Sequence, residues 1–93
     1  MAYFAQINNA NVVIDVIAVN NAEVDNLPFP ASEPIGQAFI ASLGIEGSWL
    51  QTSFNANFRG RFAGINFVYE STIGEYGEFI DLTPPPPGPP SAQ

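Results

Sequence analysis

The hydroxyl side chains that could act as nucleophiles in this sequence have no base to activate them. Ser48, Thr52 and Ser53 lie together in one short stretch. A serine or threonine nucleophile needs an adjacent base that removes its proton. The chain has no histidine and no lysine, and its two basic residues are arginines, which stay protonated. Nucleophilic catalysis is therefore not expected.

The acidic side chains do not form a recognisable acid–base pair. Glu75 and Glu78 lie in or beside one predicted turn, while Asp15, Glu46 and Glu70 lie on or beside predicted strands. A pair of carboxyl groups that face each other across a cleft could still carry out acid–base catalysis. No spacing among these acids indicates a cleft, so we expect the protein not to be an enzyme.

Metal and cofactor sites are not expected either. Cysteine and histidine are absent, which removes thiolate and imidazole ligands. A calcium cage of oxygen ligands needs several carboxylates that converge from one loop. The acids of Glu23–Asp25 and of Gly74–Glu78 are too few for that, and we interpret them as solvated turn residues.

The arginine pair is the most specific polar feature of the sequence. Arg59 and Arg61 are two residues apart, so on an extended segment both side chains lie on one face. An arginine binds a carboxylate through two parallel hydrogen bonds. Two interpretations stay open: each arginine pairs with an acid of its own chain, such as Glu70, or both bind an acidic patch on a partner protein.

Three phenylalanines in predicted loops are candidate contact residues for a partner. Phe29 lies between two prolines, and Phe54 and Phe58 are next to asparagines. Aromatic side chains often anchor protein interfaces, although local packing is the alternative for each of them. Trp49 lies on a predicted strand, and we expect it in the core.

The C-terminal segment 83–93 is rich in proline. Proline restricts the unbound chain, so a proline-rich arm loses less entropy when it binds along a partner. In the extended polyproline form, eleven residues reach roughly 30 Å. We therefore predict a single domain over residues 1–82 and an extended C-terminal arm that contacts a neighbouring subunit, with six candidate contact residues: Pro84, Pro85, Pro86, Pro87, Pro89 and Pro90.

The N-terminal elements that would position these residues are a hairpin and a helix. Ala2–Ile7 alternates like a strand, and Val12–Val19 is β-branched and apolar on both faces except at Asp15, which predicts a central strand covered on both sides. Asparagines at positions 8, 9 and 11 predict the turn between them. A helix is predicted at Glu33–Leu43, with Ser32 as the N-cap and Gly44 ending it.

Three further strands are predicted after the helix, at Ser48–Phe54, Ile65–Glu70 and Glu78–Leu82. Glycine and asparagine occupy the segments between them, as is typical of turns. The fold class that these patterns predict is α+β: a small antiparallel β-meander of about five strands, with one helix inserted after the first hairpin and a proline-rich arm at the end.

Charge and composition indicate which partners the protein can have. The chain carries nine acids, a net charge of −7 and only 12% charged residues, against 46% hydrophobic residues. The charged fraction is about half that of an average soluble domain, so we expect much of the surface to be covered by other protein chains. A negative surface repels nucleic acid and anionic membranes. No secretory signal or membrane span is visible.

The sequence blocks "MAYFAQIN", "WLQTSFNANFRGRFAG" and "FIDLTPP" resemble a family of small proteins encoded by tailed phages of cyanobacteria and marine bacteria. The resemblance covers most of residues 1–82. The proline tail departs from the family pattern, in which the C-terminus carries a Tyr-Pro-Ser-Trp element. The resemblance implies a virion protein or a phage accessory protein.

Together, these features lead to a specific expectation of function. We expect a capsid decoration or cement protein, assembled in the host cytoplasm, located in the virion, and bound as a homo-oligomer to the major capsid protein or to other virion proteins. Two alternatives stay open: a tail, fibre or tail-adaptor component, and an accessory protein outside the virion that binds a host factor.

Overall fold

A three-stranded antiparallel sheet forms the middle of the structure, a computed structural model that describes residues 1–82. A second antiparallel sheet has two strands, and one α-helix lies within the described residues. The fold is therefore α+β, as the sequence predicts. The elements are β1 (Ala2–Ile7), β2 (Val13–Val19), a 3₁₀ turn (Asn21–Val24), α1 (Ser32–Ser42), β3 (Ser48–Thr52), β4 (Val68–Glu70) and β5 (Glu78–Ile80).

The first hairpin is confirmed, and its turn is stabilised by asparagine. The Oδ1 atom of Asn8 accepts hydrogen bonds from the backbone N–H groups of Ala10 and Val12, at 2.8 and 3.0 Å. Asn11 adopts the left-handed backbone conformation, with φ of 62°, which asparagine tolerates better than most residues. The register shifts after the Gln6–Asp15 pair, so that strand β2 contains a bulge.

Helix α1 lies one residue earlier than predicted, and Ser32 does not cap it. Ala31 occupies the N-cap position and makes no side-chain cap bond. Ser32 is fully buried, and its hydroxyl donates to Oε1 of Gln51 at 2.6 Å. The tertiary contact therefore takes the hydroxyl that the sequence assigns to the cap. At the other end Gly44, with φ of 79°, ends the helix as predicted.

The strand order of the main sheet differs from the predicted meander. The order is β2-β1-β3, so β1 is the central strand and β2 is an edge strand. The prediction of a central, doubly covered strand at Val12–Val19 is therefore wrong: Ile14 is 48% exposed and Asp15 is also exposed. The reason is that α1 carries the chain across the sheet to the far side of β1, and β3 pairs there.

The main sheet is covered on both faces, and each face has its own hydrophobic core. On the helix face, Phe4 packs under α1, where a Cβ atom added to Gly36 would overlap the Phe4 ring. On the other face, Ala5 packs under β5 and the segment that precedes β4. The buried residues on the helix face are Ala2, Phe4, Val19, Val24, Ile40 and Trp49, and those on the opposite face are Ala5, Val13, Ala63 and Phe79.

The chain between β3 and β4 attaches the small sheet to the large one. Ala63 donates its N–H to Oγ1 of Thr52 at 2.9 Å. Val13 exchanges backbone hydrogen bonds with Phe67 and Asn66, at 2.7 and 2.8 Å. The last two strands are three residues each, shorter than predicted.

The described residues end before the predicted arm, and they contain no membrane-spanning helix. The predicted arm and its prolines lie outside the described residues. Among residues 1–82, no helix has the length and hydropathy that a membrane span needs.

Candidate functional site

Arg59 lies at the centre of a buried polar cluster that connects four parts of the chain. Its guanidinium donates to both carboxylate oxygens of Glu33 on α1, to the carbonyl of Gln51 on β3 at 2.8 Å, and to the carbonyl of Tyr76 at 3.0 Å. The Arg59 and Glu33 side chains are 5% and 17% exposed. The guanidinium also lies over the Phe29 ring, 5.1 Å from its centroid.

This cluster closes the outer edge of β3. In an antiparallel strand, every second residue directs its N–H and carbonyl away from the paired neighbour, and on β3 these residues are Trp49 and Gln51. Gln37 on α1 donates to the Trp49 carbonyl at 2.6 Å, and Glu33 accepts from the Gln51 N–H at 2.7 Å. Since Arg59 bonds the Gln51 carbonyl, side chains occupy three of the four outward groups. We call this the closed edge.

The opposite edge of the sheet, formed by β2, is covered at Val13 by Asn66 and Phe67 and is open further along the strand. Phe4 pairs with Ile17, and Ala5 pairs with Val16. Because hydrogen-bonded and non-hydrogen-bonded pairs alternate along an antiparallel pair, Ile17 directs its backbone groups toward β1, whereas Val16 and Ala18 direct theirs outward. Within residues 1–82, the Val16 carbonyl and both backbone groups of Ala18 have no hydrogen-bond partner. The outward groups of Val16 and Ala18 form what we call the open edge.

Asp15 provides the one local bond on the open edge. Its Oδ1 atom accepts the hydrogen bond of the Val16 N–H at 2.8 Å. A charged residue that covers an outward N–H is a common way in which proteins limit pairing at an edge strand. This bond occupies one of four outward groups, compared with three of four on the closed edge.

An aromatic patch of Tyr3, Phe54 and Phe62 forms around Tyr3 of the central strand β1. Tyr3 is the cross-strand neighbour of Ala18 and points to the same face. Its ring packs against Phe54 and Phe62, with centroids 5.7 and 5.4 Å away. Phe54 is 63% exposed, so the patch includes accessible apolar surface.

A second aromatic group surrounds the Arg59 guanidinium. Phe29 stacks on Phe58 with centroids 3.8 Å apart, and Tyr76 meets Phe29 edge-on at 4.8 Å. These rings are half-buried and mainly cover the Arg59–Glu33 pair. Burial raises the pKa of the Tyr76 phenol, and the charge of the adjacent Glu75 raises it further, so this hydroxyl keeps its proton at neutral pH.

The structure separates the two arginines that the sequence places together. The intrachain interpretation holds for Arg59, with Glu33 as its partner instead of Glu70, so the Arg59 guanidinium is not accessible to another protein. Arg61 is exposed and forms no ion pair with any acid among residues 1–82. The two side chains differ because the backbone of Arg59 is left-handed, with φ of 57°, and not extended.

The three candidate phenylalanines also divide into two groups. Phe29 and Phe58 pack on each other beside Arg59, as the local-packing alternative describes. Phe54 lies in the aromatic patch and remains accessible to a partner. The six candidate prolines, from Pro84 to Pro90, lie outside the described residues.

The acids of residues 1–82 converge neither on a metal site nor on the groove beside α1. No group of three or more acids in this part of the chain could hold a metal ion. A shallow groove of about 290 Å³ lies between α1 and the start of β3, next to Gln37, Ile45 and Trp49. Its lining includes no acid and no base.

Sequence reasoning missed the open edge and the aromatic patch. Asp15, the single charge within an apolar strand, was a signal for the edge, because natural edge strands often carry one charged residue. Tyr3 and Phe62 gave no signal, since their proximity to Phe54 depends on how the segment after β3 folds back.

No protein-family model, curated protein or solved structure matches this chain significantly. The candidate site therefore depends on the geometry described above.

Proposed function

We propose that the protein is a structural component of a tailed-phage virion, and specifically a capsid decoration protein that stabilises the shell through contacts between subunits. In this role the chain binds other protein chains and carries out no chemistry. The major capsid protein is the proposed partner, and several copies of the chain act together on one particle, where many weak contacts add up.

The open edge of β2 carries this proposal. An edge strand with unpaired backbone groups and apolar side chains is a surface on which another chain can add a strand. The protein closes its other edge with an ion pair and a glutamine side chain, so the two edges have different exposure to partners. A chain that needed no partner would benefit from closing both.

The remaining surface supports the same proposal. Several large apolar side chains are exposed, including Ile14 of β2 at 48%, Ile65 at 53% and Met1 at 60%. Only 12% of the residues are charged, so few ionic groups cover these apolar surfaces. The phage resemblance of the sequence supports the virion as the place where the protein is located.

The direct experiment measures how many copies of the protein each particle contains. We expect quantitative mass spectrometry of purified virions of the encoding phage to find hundreds of copies, in a fixed ratio to the major capsid protein. Removing the protein should lower the temperature at which particles release their DNA. Absence of the protein from purified virions would refute the proposal.

Copy number also separates the second candidate function, a tail, fibre or tail-adaptor component. Such a component occurs in tens of copies or fewer on each particle. The open edge favours this candidate as well, because strand addition serves any assembly. A protein found only in infected cells would instead be an accessory protein that binds a host factor.

A further inference from the structure

We propose that the open edge is a homodimerisation site, at which β2 pairs with β2 of a second copy in antiparallel orientation around a two-fold axis at Ile17. The paired copies form one continuous sheet of six strands. This inference rests on the proposed assembly role of the same edge, and it names the first partner that the edge binds.

The hydrogen-bonding groups of β2 complement themselves in this register. When Ile17 lies opposite Ile17 of the second copy, Val16 lies opposite Ala18. Both residues direct their N–H and carbonyl groups outward, so the seam can form four backbone hydrogen bonds. The Val16 N–H exchanges its bond to Asp15 for a bond to the Ala18 carbonyl of the other copy.

The closed edge determines that pairing between copies is symmetric. A head-to-tail contact would need β3 of one copy to accept β2 of the next, and side chains already occupy three of the four outward groups of Trp49 and Gln51. An edge contact between the main sheets of two copies therefore uses β2 on both sides. Such a contact closes after two copies instead of extending into a fibre.

The charges of β2 are compatible with this register. Asp15 lies opposite Val19 of the second copy, so the two Asp15 residues are four positions apart along the seam. At about 3.4 Å per residue this separation is roughly 14 Å, which exceeds the Debye length of about 8 Å at physiological ionic strength. The two carboxylates therefore repel each other weakly.

The chain's own C-terminal segment is a poorer occupant of the open edge. Residues 83–93 contain six prolines, and proline has no N–H to donate to a neighbouring strand. A second β2 strand supplies a donor and an acceptor at each outward position. The self-complementary register therefore favours a second copy.

The test compares two substitutions at Ala18 in the full chain. Ala18→Pro removes an outward N–H that the intrachain sheet does not use, and proline is tolerated at such edge positions. Ala18→Ser keeps the N–H and is the matched control. Sedimentation equilibrium should give the wild type and Ala18→Ser twice the 10.0 kDa of one chain at high concentration. Ala18→Pro should weaken self-association about tenfold or more.

Two additional measurements keep the test decisive. The fluorescence of Trp49, which is 6% exposed, reports whether each variant is folded. In the wild type, hydrogen exchange of the Ala18 amide should slow as protein concentration rises, while exposed turn amides such as that of Ala10 should not change in rate.

Two results would overturn the inference. One is a wild-type monomer at all concentrations, with constant exchange at Ala18. The other is a dimer that a folded Ala18→Pro variant retains unchanged. Either result leaves the proposed virion role intact, because that role is measured on particles. If the protein is monomeric in solution but abundant in virions, a different virion protein occupies the open edge.

Discussion

Removing the Arg59 side chain should destabilise the fold strongly. Arg59→Ala leaves the Glu33 carboxylate, 17% exposed, without its counter-ion. It also leaves the carbonyls of Gln51 and Tyr76 without the arginine donor, and it removes the group that lies between the rings of Phe29 and Tyr69. All of these contacts connect the segment after β3 to the rest of the fold.

The expected loss follows from the burial of the ion pair. Breaking a buried ion pair by removing one partner costs about 3–5 kcal/mol, because the remaining charge stays desolvated. A domain of this size has a total free energy of unfolding of about 5–15 kcal/mol. For a domain of 60–100 residues each kcal/mol corresponds to roughly 4–8 °C. A loss of about 3 kcal/mol therefore lowers the melting temperature by roughly 12–24 °C.

Urea unfolding followed by Trp49 fluorescence measures this loss, since Trp49 is the single tryptophan and is buried. Arg61→Ala is the matched control: it removes the other arginine of the chain, which is exposed and unpaired with any acid in the described part. We expect the control to change the free energy of unfolding by about 0.5 kcal/mol or less. If both variants unfold at the same urea concentration as the wild type, Arg59 does not hold the fold together and the reasoning is refuted.

Three other substitutions or deletions give separate tests. Gly36→Ala forces a methyl group into the ring of the buried Phe4, and the free energy of unfolding should fall by about 1–3 kcal/mol in urea titrations; an unchanged midpoint would contradict the packing. Asp15→Thr frees the Val16 N–H and removes a charge from the edge, so self-association measured by sedimentation should strengthen; weaker association would contradict the role of Asp15. Deletion of Thr83–Gln93 should reduce binding to phage particles and leave the Trp49 emission unchanged; equal binding would refute the arm.

Much of the local structure could be predicted because it depends on neighbouring residues. The first hairpin follows from the asparagine turn at positions 8–11, and the end of α1 follows from Gly44. The β-rich α+β class follows from the alternation of apolar residues. The buried position of Trp49 follows from its strand.

The arrangement of the strands could not be predicted, because it depends on contacts between distant residues. The hydrophobic pattern of β2 is typical of a central strand, and the pattern alone does not indicate that β3 pairs on the far side of β1. The spacing of Arg59 and Arg61 predicts a shared face only if the segment is extended. The left-handed conformation of Arg59 and its pairing with Glu33, 26 residues earlier, depend on the final fold.

The central claim is that the open edge of β2 joins this protein to other chains in an assembly. The most direct measurement adds equal amounts of wild-type, Ala18→Ser and Ala18→Pro protein to phage particles that lack the protein, and quantifies the bound chains. The account predicts that the wild type and Ala18→Ser bind equally and that Ala18→Pro binds far less, although all three fold. Equal binding of the three proteins would contradict it.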